Sequence, residues 1–243
     1  AAGRGWKIWS SAGVSSHAAN SSCGGNLLRL AEEMKRNVIL VILDSCRYDS
    51  FERANAQGFK SLGKLYRCYS TACWTKPSFL SLAFGFPPLN PPVLGRLFRI
   101  ENYKIKKILT PNPLIIKERN RIFKGWHVEG LKYDYLKSSA QIFQDAKIFL
   151  QNVKDSFLLL LHLMETHHPY WDGKKTYGAP ISTPKEGVRI QARCVEHIDD
   201  NFRKILYDTI LSIHNLRVIV TADHGEMFGE ESEGLKGYRH NIE

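Results

Sequence analysis

Three apolar runs in this sequence each lead into side chains that bind metals or move protons. NVILVIL, residues 37–43, runs into Asp44; FLLLL, 157–161, leads to Glu165, His167 and His168; VIVTA, 218–222, runs into Asp223 and His224. Thr75 stands between the first two runs, and His240 follows a loop rich in Gly and acids. Carboxylate oxygens and imidazole nitrogens without thiolates suit Zn²⁺, Mn²⁺, Mg²⁺ or Ca²⁺. A metal held by Asp44, Asp223 and His224 could bind Thr75 Oγ and favour its alkoxide, help that a hydroxyl needs before it can act as a nucleophile. The matching substrate is a tetrahedral oxyanion ester. Each residue also has a plainer reading: Asp44 could cap a helix beginning near Arg47, Thr75 could be an ordinary N-cap, and a lone histidine is usually structural.

The elements that must position these groups are legible in outline. Short runs of β-branched residues and Leu, too short for helices, read as strands buried on both faces of a parallel sheet, and ligands of such sheets collect at the carboxyl ends of the strands. Pro77 falls in the first turn of the helix that Thr75 opens, where proline is tolerated. A helix N-terminus carries unpaired N–H groups and partial positive charge, so a hydroxyl there faces an anion site. YKIKKILT, 103–110, alternates like a strand, 138–153 has helical period, and 188–214 reads as a long amphipathic helix. Residues 27–35 and 57–66 read as further helices. Residues 1–26, rich in Ala, Gly and Ser, read as a flexible leader ahead of a single catalytic domain at 27–243.

A chain of 243 residues suits one large α/β domain, and no apolar run approaches the ~20 residues needed to cross a bilayer. Without a signal-peptide core, and with five cysteines in no paired spacing, the expectation is a cytoplasmic, reducing compartment. Lys and Arg outnumber Asp and Glu by 34 to 24, for a net charge of +10. That excess suits an anionic partner, and in the absence of a nucleic-acid motif it points to a small anionic ester. Oligomeric state is not written in the residues.

Taken together, NVILVILDSCRYD, WTKPSFLSLAFG, LHLMETHHPY, VIVTADHGEMFGE and GYRH occur in an order and spacing that resembles the alkaline phosphatase superfamily in its sulfatase-like branch. KILTPNPLI and FKGWHVEGLKYD resemble that family's intervening strand and the segment after it. The resemblance covers the chain from about Asn37 onward. It implies a three-layer α/β sandwich with a mostly parallel central sheet, alkaline-phosphatase-like. It further implies Asp44, Thr75, Asp223 and His224 as ligands of one divalent metal, with Thr75 as nucleophile. His167, or His168 with a register slip of one, would contact the transferred group or leaving oxygen, and His240 would do likewise as general acid. Arg47 and Lys76 would offset substrate charge, Arg47 having a surface ion pair as its alternative. A second metal would fall to Glu165, His167, His168 and His240; one site is the expectation.

Departures from the family pattern refine the chemistry. Thr75 occupies the position that formylglycine sulfatases give to a modified cysteine or serine, Phe79 stands where they carry an arginine, and Cys73 is two residues out of register. Ser45 replaces the second aspartate of their metal pair. The family usually continues past the position of His240, which implies a minimal or C-terminally truncated member. The expected activity is hydrolysis or transfer of a phosphate ester, with a sulfuric ester hydrolase, a non-catalytic relative and a basic anion-binding domain as alternatives.

Overall fold

Branched aliphatic residues fill Asn37–Leu43, and this run forms strand β2, with a parallel neighbour on each side. The computed structural model describes residues 6–11, 37–70, 72–84, 103–117, 123, 125–129, 134–178, 181, 183–232 and 235–239. Among the described residues, seven strands make the main sheet: β1 (Trp6–Ser11), β2, β3 (Lys64–Arg67), β4 (Ile105–Leu109), β5 (His127–Glu129), β6 (Phe157–Leu163) and β9 (Leu216–Thr221), in the spatial order β3-β1-β9-β2-β6-β4-β5. The five strands from β9 to β5 are mutually parallel, so their carboxyl ends share one edge. Among the described strands of this sheet β1 alone runs against the others, pairing antiparallel with β9 on one side and β3 on the other. Two small hairpins complete the strands, β7 (Tyr170–Trp171) with β8 (Thr176–Tyr177), and β10 (Met227–Ser232) with β11 (Leu235–Arg239).

Helices cover both faces. Alternation along β2 sends Ile39, Val41 and Leu43 into one cluster and Ile42 into another. The first cluster packs β2, β6 and β9 against α1 (Tyr48–Arg53), α2 (Gln57–Ser61), α5 (Ser139–Asn152), α6 (Pro184–Ile205) and α7 (Tyr207–Ser212). The second packs the opposite face against Phe79 of α3 (Thr75–Phe84) and Ile115 of α4 (Pro113–Lys117). The result is a mostly parallel sheet flanked by helices on both sides, the expected α/β architecture.

Three expectations need correction. Trp6–Ser11 lies within the segment read as a leader, yet it pairs with β9 on one side and β3 on the other; strand partners far along the chain override the local composition that suggested a leader. The remainder of residues 1–26 and the helix expected at 27–35 lie outside the described residues. The helix expected over 57–66 stops at Ser61, and the residues after it turn into β3. The long helix expected to His214 ends at Ile205 and resumes as α7.

Candidate metal and nucleophile site

The sheet fixes the site because Asp44 directly follows β2 and its N–H donates to the Leu163 carbonyl at 2.9 Å, extending the ladder between β2 and β6 by one residue. Beyond it, Ser45 takes a positive φ of 59°, which turns the chain sharply. That turn aims the Ser45 N–H at Asp223 Oδ1, 3.0 Å away, and the His224 N–H reaches the same oxygen at 2.9 Å. Asp223 Oδ2 is buried and has no hydrogen-bond partner. It lies 3.4 Å from His224 Nε2. His224 Nδ1 is 2.8 Å from the Gly225 carbonyl, so Nδ1 carries the hydrogen and Nε2 presents its lone pair to the cluster.

Thr75, the first residue of α3, is buried. Its Oγ1 is 3.4 Å from both Asp44 Oδ2 and His224 Nε2. Asp44 Oδ1 is 3.8 Å from His224 Nε2. Donors about 2.1 Å from one tetrahedral ion lie roughly 3.4 Å apart, the spacing found here. An unpartnered buried carboxylate oxygen, a directed imidazole lone pair and an all O/N donor set therefore fit a divalent cation. Among the described residues, Asp44, Asp223 and His224 are the three His, Cys, Asp or Glu side chains that converge closely enough to hold one.

The electrostatics match that arrangement. Burial opposes ionisation of Asp44, but the hydrogen bond and charge of His162, joined by His167 and His224, hold its carboxyl well below the ordinary range. Burial and the neighbouring Asp44 push Asp223 upward, against the pull of His224 and His162. Burial alone would lower His224; Asp223, Asp44 and the Gly225 carbonyl reverse the direction and raise it. Two adjacent buried carboxylates repel, and a cation between them removes that penalty.

The other expected residues distribute unevenly. His167 is half-buried, its Nδ1 2.6 Å from the His168 carbonyl, and its charge acts on both Asp44 and Glu226, so it borders the cluster. His168 sets its ring edge-on to Tyr170. Lys76 is half-buried in the first turn of α3. Arg47 does not face the cluster: its guanidinium is held by Asp49 at 2.7 Å, by Glu230 and by the Glu226 carbonyl at 3.1 Å, over the Phe228 ring. These contacts tie α1 to β10 and match the ion pair that was the alternative reading of Arg47. Glu165 is not among the three converging side chains; its Oε1 accepts the Ser139 N–H at 2.6 Å at the start of α5, and its Oε2 is buried without a hydrogen-bond partner. His240 lies outside the described residues.

Several participants were not legible beforehand. His162 donates to Asp44, and Asn112 Nδ2 approaches the same Asp44 oxygen at 3.4 Å. Gln191, buried on α6, donates to the carbonyls of Ser45 and Thr166 and accepts the Arg47 N–H, clamping the loops after β2 and β6 together. Tyr135, half-buried and edge-on to His167, is pushed upward by burial and by Asp44, Asp223 and Glu226. The signal available was the family-like segments themselves: Asn112 lies in KILTPNPLI, His162 in LHLMETHHPY, and Tyr135 directly follows FKGWHVEGLKYD.

Comparison with known proteins agrees with this geometry. The Sulfatase family pattern matches residues 100–243, more than half of the chain, a span that contains Asp223 and His224 and to which the fold adds Asp44 and Thr75. No curated protein matches the sequence. Among solved structures, the C-terminal periplasmic domain of phosphoethanolamine transferase EptC from Campylobacter jejuni superposes with a TM-score of 0.58 at 13% identity, over 84% of this chain and 73% of that one. A protein in the alkaline phosphatase superfamily from Vibrio parahaemolyticus matches with a TM-score of 0.49 at 15% identity, over 81% of this chain and 56% of that one. No described helix is long and apolar enough to cross a membrane, and the Campylobacter neighbour is periplasmic, so the cytoplasmic expectation gains no support. The family pattern spans more than half of the sequence, and the chain belongs to the Sulfatase family.

Proposed function

We propose that the protein is a divalent-metal-dependent hydrolase or transferase of phosphate esters that uses Thr75 as its nucleophile. The observation that carries this reading is the position of Thr75 Oγ1, buried at a helix N-terminus and 3.4 Å from a ligand atom of both Asp44 and His224. A divalent cation bound at Asp44, Asp223 and His224 supplies charge that favours the ionised hydroxyl and offsets the charge of the phosphate. The chain supplies the rest. Thr75 Oγ1, its proton released to water, attacks phosphorus in line, the bond to the ester oxygen breaks, and that oxygen takes a proton from His167, with His240 as the further acid expected from the family resemblance. N–H groups at the start of α3 stabilise charge on the equatorial oxygens, and Lys76 adds positive charge beside them. A second in-line attack on phosphothreonine, by water or another alcohol, restores Thr75.

Phosphoryl transfer fits Thr75 better than sulfuryl transfer. Formylglycine releases sulfate by elimination from its hydrate, and threonine cannot become formylglycine. The neighbour in fold is a phosphoethanolamine transferase, which supports phosphate-ester chemistry on this scaffold. The net charge of +10 favours the more negative substrate, since a phosphate monoester has a second pKa near ~6. The test is to assay one aryl phosphate and the matching aryl sulfate with Zn²⁺ or Mn²⁺, and to search quenched reactions for phosphate on Thr75 by mass spectrometry. Turnover of the phosphate, a modified Thr75 peptide and loss of both in Thr75→Ala are expected. A clear preference for the sulfate, or near-normal activity of Thr75→Ala, would overturn the reading.

A further inference from the structure

His162 interrupts β6, otherwise all Phe and Leu, and its side chain is 0% exposed. A histidine that merely filled space there would leave two polar ring nitrogens stranded, which is costly in a core. Both are engaged. Nε2 lies 2.9 Å from Asp44 Oδ2, and Nδ1 lies 2.9 Å from Thr110 Oγ1. The Thr110 oxygen already accepts the Asn112 N–H at 3.0 Å, so its own hydrogen is the one left for His162 Nδ1. Nε2 then carries the hydrogen that faces Asp44. Donors run one way, from the Asn112 backbone through Thr110 and His162 to Asp44.

The same ring meets the nucleophile's helix. Phe79, one turn beyond Thr75, is buried and stands edge-on to His162 with ring centroids 4.7 Å apart. This is the position at which formylglycine sulfatases carry an arginine. A single side chain thus touches both the first carboxylate of the cluster and the helix that carries Thr75.

We propose that His162 is the positioning residue for Asp44, fixing the direction in which its carboxylate faces the metal and, through Phe79, the seating of Thr75 against it. The proposal rests on the metal reading of Asp44, Asp223 and His224. Partners that orient a ligand from behind are typically worth 10- to 100-fold in metal affinity. A histidine behind a carboxylate is the reverse of the more frequent carboxylate behind a histidine, but the constraint on the ligand is the same.

The test is a titration of the full chain with Zn²⁺ alone, against a competing chelator. Gln places its amide nitrogen near the position of Nε2, Asn reaches only as far as Nδ1, and Phe keeps a ring against Phe79 but offers no hydrogen. His162→Gln should bind Zn²⁺ much as the native protein does, whereas His162→Phe and His162→Asn should bind 10- to 100-fold more weakly. Rescue by Gln alone separates positioning from packing, because Phe preserves the packing better. Native affinity in His162→Phe, or equal loss in His162→Gln and His162→Phe, overturns the proposal. Asp44→Asn is the control: loss of Zn²⁺ there with no loss in His162→Phe sinks this proposal alone, while retention there sinks the metal reading and the proposal with it. Should His162→Phe not fold, Thr110→Val removes the hydrogen given to Nδ1 far from the cluster. Weaker Zn²⁺ binding in Thr110→Val but not in Thr110→Ser supports the proposal, and unchanged binding in both overturns it.

Discussion

The two oxygens of Asp223 differ: Oδ1 accepts the N–H groups of Ser45 and His224, joining the ends of β2 and β9, while Oδ2 is buried without a hydrogen-bond partner and is the one proposed to meet the cation. Asp223→Asn and Asp223→Ala should therefore part company. Asn retains an acceptor for both N–H groups and removes repulsion with Asp44, so the metal-free protein should be at least as stable as the native one while metal binding is lost. Ala strands both N–H groups, and chelator-treated protein should lose about 1–3 kcal/mol in urea unfolding. Glu165 offers a pH test at the same scale. Burial, outweighing the Ser139 N–H, raises its carboxyl above the ordinary carboxylate range. A raised folded value means the folded state binds the proton more tightly, so this contribution is full below the unfolded Glu value near ~4.3 and is lost as pH rises through the folded value. Gln cannot titrate. The stability of Glu165→Gln relative to the native protein should therefore rise between acidic and neutral pH, as read by urea unfolding at several pH values, and a difference independent of pH would refute the assignment.

Helix α6 buries a stripe that includes polar side chains as well as Val195, Ile198 and Phe202, each polar group serving another element. Gln191 clamps the loops after β2 and β6, and Asp199 accepts the N–H groups of Gly58 and Phe59 at 3.0 and 2.7 Å, at the start of the short α2. Gln191→Leu and Asp199→Ala each strand buried backbone groups and should each cost about 1–3 kcal/mol. Only Gln191→Leu should also weaken Zn²⁺ binding, since its partners flank Asp44; equal effects on binding would deny Gln191 its clamping role. The amphipathic period of this helix is plain in the sequence, but what its polar groups meet is not. Asp44, Thr75, Asp223 and His224 are legible because each follows an apolar run or opens a helix marked by Pro77. His162 is hidden inside an apolar run, where a histidine reads as core, and only the neighbouring strands reveal its partner. β1 is missed because the sequence Trp6–Ser11 has no alternation strong enough to outweigh its Ala-, Gly- and Ser-rich surroundings, and its pairing partners at 217–221 lie at the other end of the domain.

At the scale of the whole molecule, the proposed ligands come from the carboxyl ends of strands that are neighbours in space but distant along the chain, so a cation at Asp44, Asp223 and His224 would bind the folded state and not the unfolded one. Free metal at 100 times its dissociation constant would then add about 2.7 kcal/mol. For a chain of this length that raises the melting temperature by roughly 5–10 °C. The rise should vanish in Asp223→Asn, and an equal rise in that variant would place the cation elsewhere. The central position of β2 also sets a timetable for the nascent chain. Val38 pairs with Leu158 on one side and with Arg217 on the other. With synthesis at about 5–20 residues per second, the second partner emerges roughly 10–35 s after β2 itself. Until the first partner emerges both hydrogen-bonding edges of this aliphatic strand are unpaired, one stays so until the second arrives, and such edges recruit other chains. The strand that organises the finished site is thus the part of the nascent protein most in need of shielding by a chaperone, and crowded expression should send this protein into aggregates through Asn37–Leu43 before any defect in the completed fold matters.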